Sequence, residues 1–255
     1  MILWLDGAHD PAENMHRDTA LLEAAEADRG AEPVLRLFGF TPPGITLGRG
    51  QDPARALDLA RCRDDGVPWA IRPTGGRAIF HDAEWTYSFA TPLADRWGEG
   101  GAGEAYARVA TLIVRSLERL GIPATLARGA RVAARPGVAP APCFASTARH
   151  EIVLGGRKLV GSAQRRTARA LLQQGSVLLG DGHLRLADYL PGTAGERAAA
   201  RAALARAATH AGLSLAGPPR LQRWAEALAA ALPEPPRRIA AEAGLPLIEP
   251  KRRAG

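Results

Sequence analysis

An α+β fold is predicted by three observations. Short β-prone runs separated by turn residues dominate the chain as far as about Leu179. One strongly amphipathic stretch, Gly103 to Leu120, interrupts them. From about Leu184 the segments turn Ala-rich and helix-forming. The expected organisation is a core over residues 1–183, with an Ala/Arg-rich helical part over residues 184–255 packed against it.

Taken in order, Met1 to Leu5 is the opening strand. Asp10-Pro11 leads into a helix from about Ala12 to Ala27, with Met15, Leu21 and Leu22 at apolar positions. Val34, Leu37 and Phe38 around Arg36 give Pro33 to Phe40 a strand pattern. Pro42-Pro43-Gly44 forces a turn, and Ile45 to Gly48 is a short strand. Ala54 to Arg63 reads as a helix. Trp69 to Arg72, Ala78 to His81 and Trp85 to Thr91 read as strands. In the amphipathic helix, Tyr106, Val109, Ala110, Ile113, Leu117 and Leu120 share one stripe, and Gly121 ends it. Arg135 to Pro142 is a Pro/Ala loop delivering the chain to Cys143-Phe144. Glu151 to Leu154, Lys158 to Val160, Ala163 to Arg166 and Leu171 to Leu179 follow as strands. Ala194 to Ala211 and Pro219 to Leu232 are helices, punctuated by Pro233 to Pro236. There is no internal repeat.

Composition narrows the function classes. No apolar run reaches the length of a membrane span, and the apolar start is too short for a signal peptide and is broken by Asp6, so a soluble cytoplasmic protein is expected. Cys62 and Cys143 form no disulfide framework and no zinc motif, and the six histidines are scattered; no metal and no cofactor are expected. The net charge of +7 suits an acidic protein partner as well as a nucleic acid. No dense basic stripe with interleaved aromatics accompanies it, so neither nucleic acid nor membrane is the expected partner. Of the 33 basic residues, only Lys158 and Lys251 are lysine. Arginine stays charged at any accessible pH, whereas a lysine amine can give up its proton and act as a base. Lys251 belongs to a terminal basic run; Lys158 lies in a Gly-rich segment.

Three segments carry chemistry. The first runs from Arg72 to His81 and includes Thr74, Gly75 and Gly76. Paired glycines let a backbone approach a ligand closely, loop amides can hold an anion or a carbonyl oxygen, and Arg72 adds a charge-assisted contact; a plain hairpin and a structural histidine are the bland readings. The second is Gly155 to Arg166. Gly155-Gly156 reads as a hairpin turn, which puts Lys158 inside the returning strand, ahead of the small residues Gly161-Ser162-Ala163 that leave room for a ligand. The third is Pro142-Cys143-Phe144. Cys143 is either a small buried hydrophobe or a loop nucleophile with Lys158 as the base that ionises it. Cys62 lies on a helix and reads as structural.

These segments resemble the biotin/lipoate protein ligase superfamily, and within it the octanoyltransferases that are similar in sequence to lipoate–protein ligases. The stretches that carry the resemblance are Leu35 to Gln51, ending Gly48-Arg49-Gly50-Gln51; Arg72 to Ser88, through Glu84-Trp85-Thr86-Tyr87; and Cys143-Phe144, Glu151-Ile152, Lys158 to Gln164 and Leu172-Gln173-Gln174-Gly175-Ser176. The resemblance implies mixed sheets with flanking helices forming an acyl-binding tunnel. It implies that Lys158 stands at the acyl carbonyl and that Cys143 is the acyl-accepting thiol, with Arg72, Thr74, Gly75, Gly76, His81, Gly161, Ser162 and Ala163 binding substrate. Two departures lean away from nucleotide binding: Ile71-Arg72 where the family often has a basic pair, and Arg77 where the ligases have a third glycine. The tail is also shorter than the accessory domain that lipoate ligases commonly carry.

The implied reaction moves an octanoyl or lipoyl group from octanoyl–acyl carrier protein to one lysine of a lipoyl-domain protein, such as glycine cleavage H protein or a dehydrogenase E2 domain, through a cysteine acyl-enzyme. The competing readings are an ATP-dependent lipoate–protein ligase, an amidotransferase between carrier proteins and a non-catalytic module that keeps the tunnel.

Overall fold

The computed structural model describes residues 1–127, 151–215, 217 and 219–240. The strands are β1 (Ile2–His9), β2 (Val34–Phe40), β3 (Gly44–Gly48), β4 (Trp69–Arg72), β5 (Ile79–His81), β6 (Glu84–Pro92), β7 (Thr125–Leu126), β8 (Ile152–Leu154), β9 (Arg157–Arg166), β10 (Ala170–Leu178) and β11 (Arg237–Ala240). The helices are α1 (Pro11–Ala27), α2 (Pro53–Ala56), α3 (Leu59–Asp64), α4 (Ala102–Arg119), α5 (Ala194–Ala207) and α6 (Leu221–Ala231). Among the described residues, eight strands form one sheet in the order β11-β1-β2-β6-β10-β9-β8-β7, and three form a second, β4-β3-β5. Both sheets mix parallel and antiparallel pairs, so the predicted α+β class with mixed sheets and flanking helices is what the chain adopts.

Strand periodicity decides what each face buries. Successive side chains of a strand point to opposite faces. On β10, Leu171 and Val177 join a core with α4 and α6, while Ala170 and Leu172 join a different core with Leu21, Leu22 and Ala25 of α1. β1 divides the same way, Leu3 to the first core and Ile2 and Trp4 to the second. β10 is buried along all nine residues, as a central strand covered on both faces must be. A third core lies under the small sheet. Ile45, Leu47, Phe80 and Cys62 meet Leu186 and Tyr189 of a 3-10 segment, Asp181–Tyr189, and Leu204 of α5.

Three departures from the pattern reading have a clear physical reason. The single helix expected over Ala54 to Arg63 is two, because Asp58 caps a new start: its side chain accepts from the Arg61 N–H at 3.1 Å, and its own backbone is non-helical. The two strand pieces expected after Gly156 are one continuous β9. The turn before it holds Gly155 and Gly156 at φ +58° and +75°, the left-handed region that a two-residue hairpin turn demands. Arg237–Ala240, beyond the expected helices, is a strand that pairs in parallel with β1. Within the Ala-rich tail, Trp224 of α6 stacks on Trp85 at 5.4 Å and donates from Nε1 to Ser116 Oγ at 2.9 Å, in the core shared with α4. Among the described residues no helix is long and apolar enough to cross a membrane.

Candidate active site

The two sheets enclose a cleft. Its floor is where β9 and β10 run side by side, Ser162 opposite Gly175 and Gly161 opposite Ser176. The small residues there keep backbone, not side chain, at the surface. Gly175 tolerates nothing larger: a Cβ would overlap the Tyr87 ring and lie 2.6 Å from Ser162 Oγ. Phe38 and Phe40 of β2, Met15 of α1 and Ile79 of β5 supply apolar walls, and the small sheet adds Thr46, Arg72 and His81. The empty volume is about 380 Å³, part of it open to solvent.

The glycine loop after β4 is built around Arg72. The guanidinium donates to the Gly75 carbonyl from Nε (3.1 Å) and Nη2 (2.8 Å), to the Arg77 carbonyl (2.8 Å) and to the Thr46 carbonyl (3.1 Å). Arg72 therefore clamps the loop that contains Gly75 and Gly76. Gly76 has φ +95°, and a Cβ there would stand 2.7 Å from Arg72 Nη2. The loop also presses on β3, where any Cβ on Gly48 would overlap the Gly76 carbonyl. A trans peptide sends its C=O and N–H in opposite directions, so fixing the Gly75 carbonyl on Arg72 turns the Gly76 N–H away from that guanidinium. Thr74 is fully buried and donates from Oγ1 to Gln174 Oε1 at 2.5 Å.

His81 lines the cleft with its ring stacked on Phe40, centroids 3.9 Å apart. Its Nδ1 is 2.7 Å from Glu84 Oε1, and its Nε2 is 2.7 Å from Thr46 Oγ1. A carboxylate only accepts, so the ring proton belongs on Nδ1, and in the neutral ring Nε2 accepts from the Thr46 hydroxyl. Glu84 Oε1 also accepts from Thr86 and Ser176. Burial pushes the Tyr87 hydroxyl above its ordinary pKa, and that hydroxyl lies 2.9 Å from Ser162 Oγ.

Lys158 is 2% exposed, and its Nζ donates to Glu151 Oε1 at 2.6 Å. Three residues farther along β9 the cleft floor begins at Gly161, about 10 Å of strand at 3.3 Å per residue. The pairing with β10 does not reach back to Lys158, whose carbonyl accepts instead from the Thr209 N–H at 2.9 Å. Cys143 lies outside the described residues, as do Phe144 and the Arg135 to Pro142 loop. Cys62 is buried; burial first, then the carboxylates of Asp58 and Asp65, push its thiol pKa up. Among the described residues no group of three or more His, Cys, Asp or Glu is placed to hold a metal ion.

The cleft thus brings Arg72, His81, Gly161, Ser162 and Ala163 together, with Gly76 a Cβ contact away from Ala163. The residues that pattern reading left without a role are Thr46, Glu84, Glu151 and Gln174. Thr46 and Gln174 carried little signal because their partners, His81 and Thr74, are distant in sequence; Glu84 and Glu151 lie near His81 and Lys158 in the chain, but a lone carboxylate at such spacing is common.

Residues 10–231 match the lipoyl protein ligase A/B catalytic domain family. The chain is 40% identical over 174 residues to an octanoyltransferase LipM from Moorella thermoacetica, covering 68% of this chain and 63% of that one. It is 38% identical over 179 residues to an octanoyltransferase LipM from Symbiobacterium thermophilum, covering 69% and 64%. The match thus spans a little under two thirds of these relatives' length. Among solved structures, a bipartite lipoate protein ligase from Thermoplasma acidophilum superposes with TM-score 0.71 at 17% identity, covering 93% of this chain and 86% of that one. Lipoate-protein ligase A bound with ATP gives 0.69 at 19%, covering 94% and 89%.

Proposed function

Because the chain belongs to the lipoyl protein ligase A/B catalytic domain family, we propose that it is an octanoyltransferase that carries its acyl group on Cys143. The supporting observation is a narrow, largely apolar cleft floored by Gly161-Ser162-Ala163 and bordered by Arg72, which clamps the glycine loop, in a chain 38–40% identical to relatives named octanoyltransferase.

The donor is octanoyl–acyl carrier protein. The Cys143 sulfur attacks the thioester carbonyl, its proton passing to Lys158, and the carrier thiol leaves with that proton. The lysine amine of a lipoyl-domain protein then attacks the acyl-cysteine, the amide forms, and the Cys143 thiol is restored. Bonds balance without ATP, because the acyl group stays a thioester until the amide is made. Glu151, 2.6 Å from Nζ, orients the Lys158 amine. The Gly76 N–H is the donor we assign to the tetrahedral oxyanion, an interaction commonly worth about 3–4 kcal/mol. The apolar walls bury the acyl tail at about 0.8 kcal/mol per methylene. His81 and Arg72 shape the cleft.

The test is intact-protein mass after incubation with octanoyl–acyl carrier protein in the absence of ATP. One octanoyl mass should appear, hydroxylamine should remove it, Cys143→Ala should take up none, and Cys62→Ala should behave as the wild type. ATP-dependent modification of the acceptor by free octanoate or lipoate, undiminished in Cys143→Ala, would replace this reading with that of a ligase.

A further inference from the structure

A buried polar chain runs from α1 and β2 to the glycine loop, and none of it takes part in the chemistry above. Arg36, Asn14, Asp18 and Thr74 are fully buried, and Gln174 is nearly so. Arg36 donates to Asp6 Oδ2 (2.7 Å), to Asp18 Oδ1 (2.6 Å) and to Asn14 Oδ1 (2.6 Å). Asp18 also takes the Ser88 hydroxyl at Oδ1 (2.6 Å) and Gln174 Nε2 at Oδ2 (2.5 Å). Gln174 Oε1 in turn takes the Thr74 hydroxyl at 2.5 Å.

The order of donors in this chain is fixed. Asp18 can only accept, so the Gln174 amide must present its NH₂ to Asp18 and its carbonyl to Thr74, and Thr74 must donate. Arginine cannot lose its proton, so the charge that orients Asp18 is permanent. The chain also crosses between sheets. Gln174 is on β10 beside the cleft floor, whereas Thr74 is in the loop fed by β4 of the small sheet. Arg72 ties that loop to its own sheet through the Gly75 and Arg77 carbonyls. The Thr74–Gln174 bond ties it to the other.

We propose that Gln174 is a positioning residue that sets the glycine loop over the cleft floor through the Thr74 hydroxyl, with Arg36 and Asp18 fixing its orientation. Its effect on catalysis passes through the loop amides, and this part alone rests on the acyl-transfer reading. A loop amide aimed at an oxyanion loses effect with a displacement of a fraction of an ångström. The consequence is felt in the rate of acylation and not in donor affinity.

Thr74→Ser, Thr74→Cys and Thr74→Val grade the donor from full through weak to none. Two measurements apply: hydrogen exchange of the Gly75 to Arg77 amides, and the rate of Cys143 acylation by octanoyl–acyl carrier protein. In Thr74→Val the loop should exchange faster, and acylation at saturating donor should slow at least tenfold with half-saturation within about twofold. Thr74→Ser should stay within about threefold of wild type, and Thr74→Cys should fall between. Should the valine variant not fold, the cysteine variant carries the comparison. Loop exchange equal to wild type overturns the proposal. Faster exchange with unchanged acylation overturns its catalytic half. A wild type that takes up no octanoyl mass overturns the functional reading instead, and the exchange data then decide the positioning claim on their own.

Discussion

Arg36 and Lys158 are both basic side chains buried to within 2% of full enclosure, and they are buried in opposite ways. Arg36 sits between two carboxylates, Asp6 and Asp18, with Asn14 filling the fork and the Phe38 ring 3.8 Å below its guanidinium. A rigid planar fork with a permanent charge suits a site where geometry must not change. Lys158 faces Glu151, whose second oxygen has no hydrogen-bond partner among the described residues. On the proposed chemistry, an amine on a flexible stem is what a site for proton transfer needs, since a guanidinium cannot give up its proton. In a chain that otherwise uses arginine for charge, the difference between the two sites is one of task.

Three substitutions sharpen that contrast. Arg36→Met should cost the most stability, about 3–5 kcal/mol, because it leaves Asp18 buried without its cation. Denaturant unfolding measures it, and the folded fraction should also acylate more slowly, because Asp18 and Gln174 lose the charge that orients them; a loss under about 1 kcal/mol would mean the cluster is not structural. Lys158→Arg retains the charge but cannot accept a proton, so transfer should fall at least a hundredfold, about 2.7 kcal/mol in barrier terms, with melting little changed. Activity above a tenth of wild type would reduce Lys158 to a charge. Gly76→Val should have the smallest effect, about 1–3 kcal/mol of strain at a positive φ, taken mainly from the transfer rate because the new side chain would push against the Arg72 guanidinium that holds the loop. If melting falls in proportion to activity, the loop is structural.

Much of this was legible in the sequence, and for identifiable reasons. The α4 stripe, the Gly155-Gly156 turn and, apart from the split expected in β9, the strands around the cleft are set by local periodicity and turn chemistry, and they stand within a residue or two of expectation. Arg72, His81 and Gly161 to Ala163 were found as members of short motifs. What escaped were partnerships across sequence distance. Asp18 meets Gln174 across 156 positions, and Thr74 meets Gln174 across 100. Arg36 stood out only as a charge in an apolar strand, a pattern equally suited to an edge. β11 escaped because four residues after a Pro-rich break carry too little alternation to read as a strand, and only the free side of β1 gives them a partner.

The burial of Lys158 also bears on self-modification. An activated acyl group reacts with whichever unprotonated amine reaches it, and an enzyme that holds one is its own nearest target. Guanidinium groups do not compete, being always protonated. This chain has two lysine side chains, and Lys158 is enclosed and engaged with Glu151. On the proposed chemistry, a surface furnished with arginine in place of lysine leaves the acyl group with few wrong acceptors before a lipoyl-domain lysine arrives.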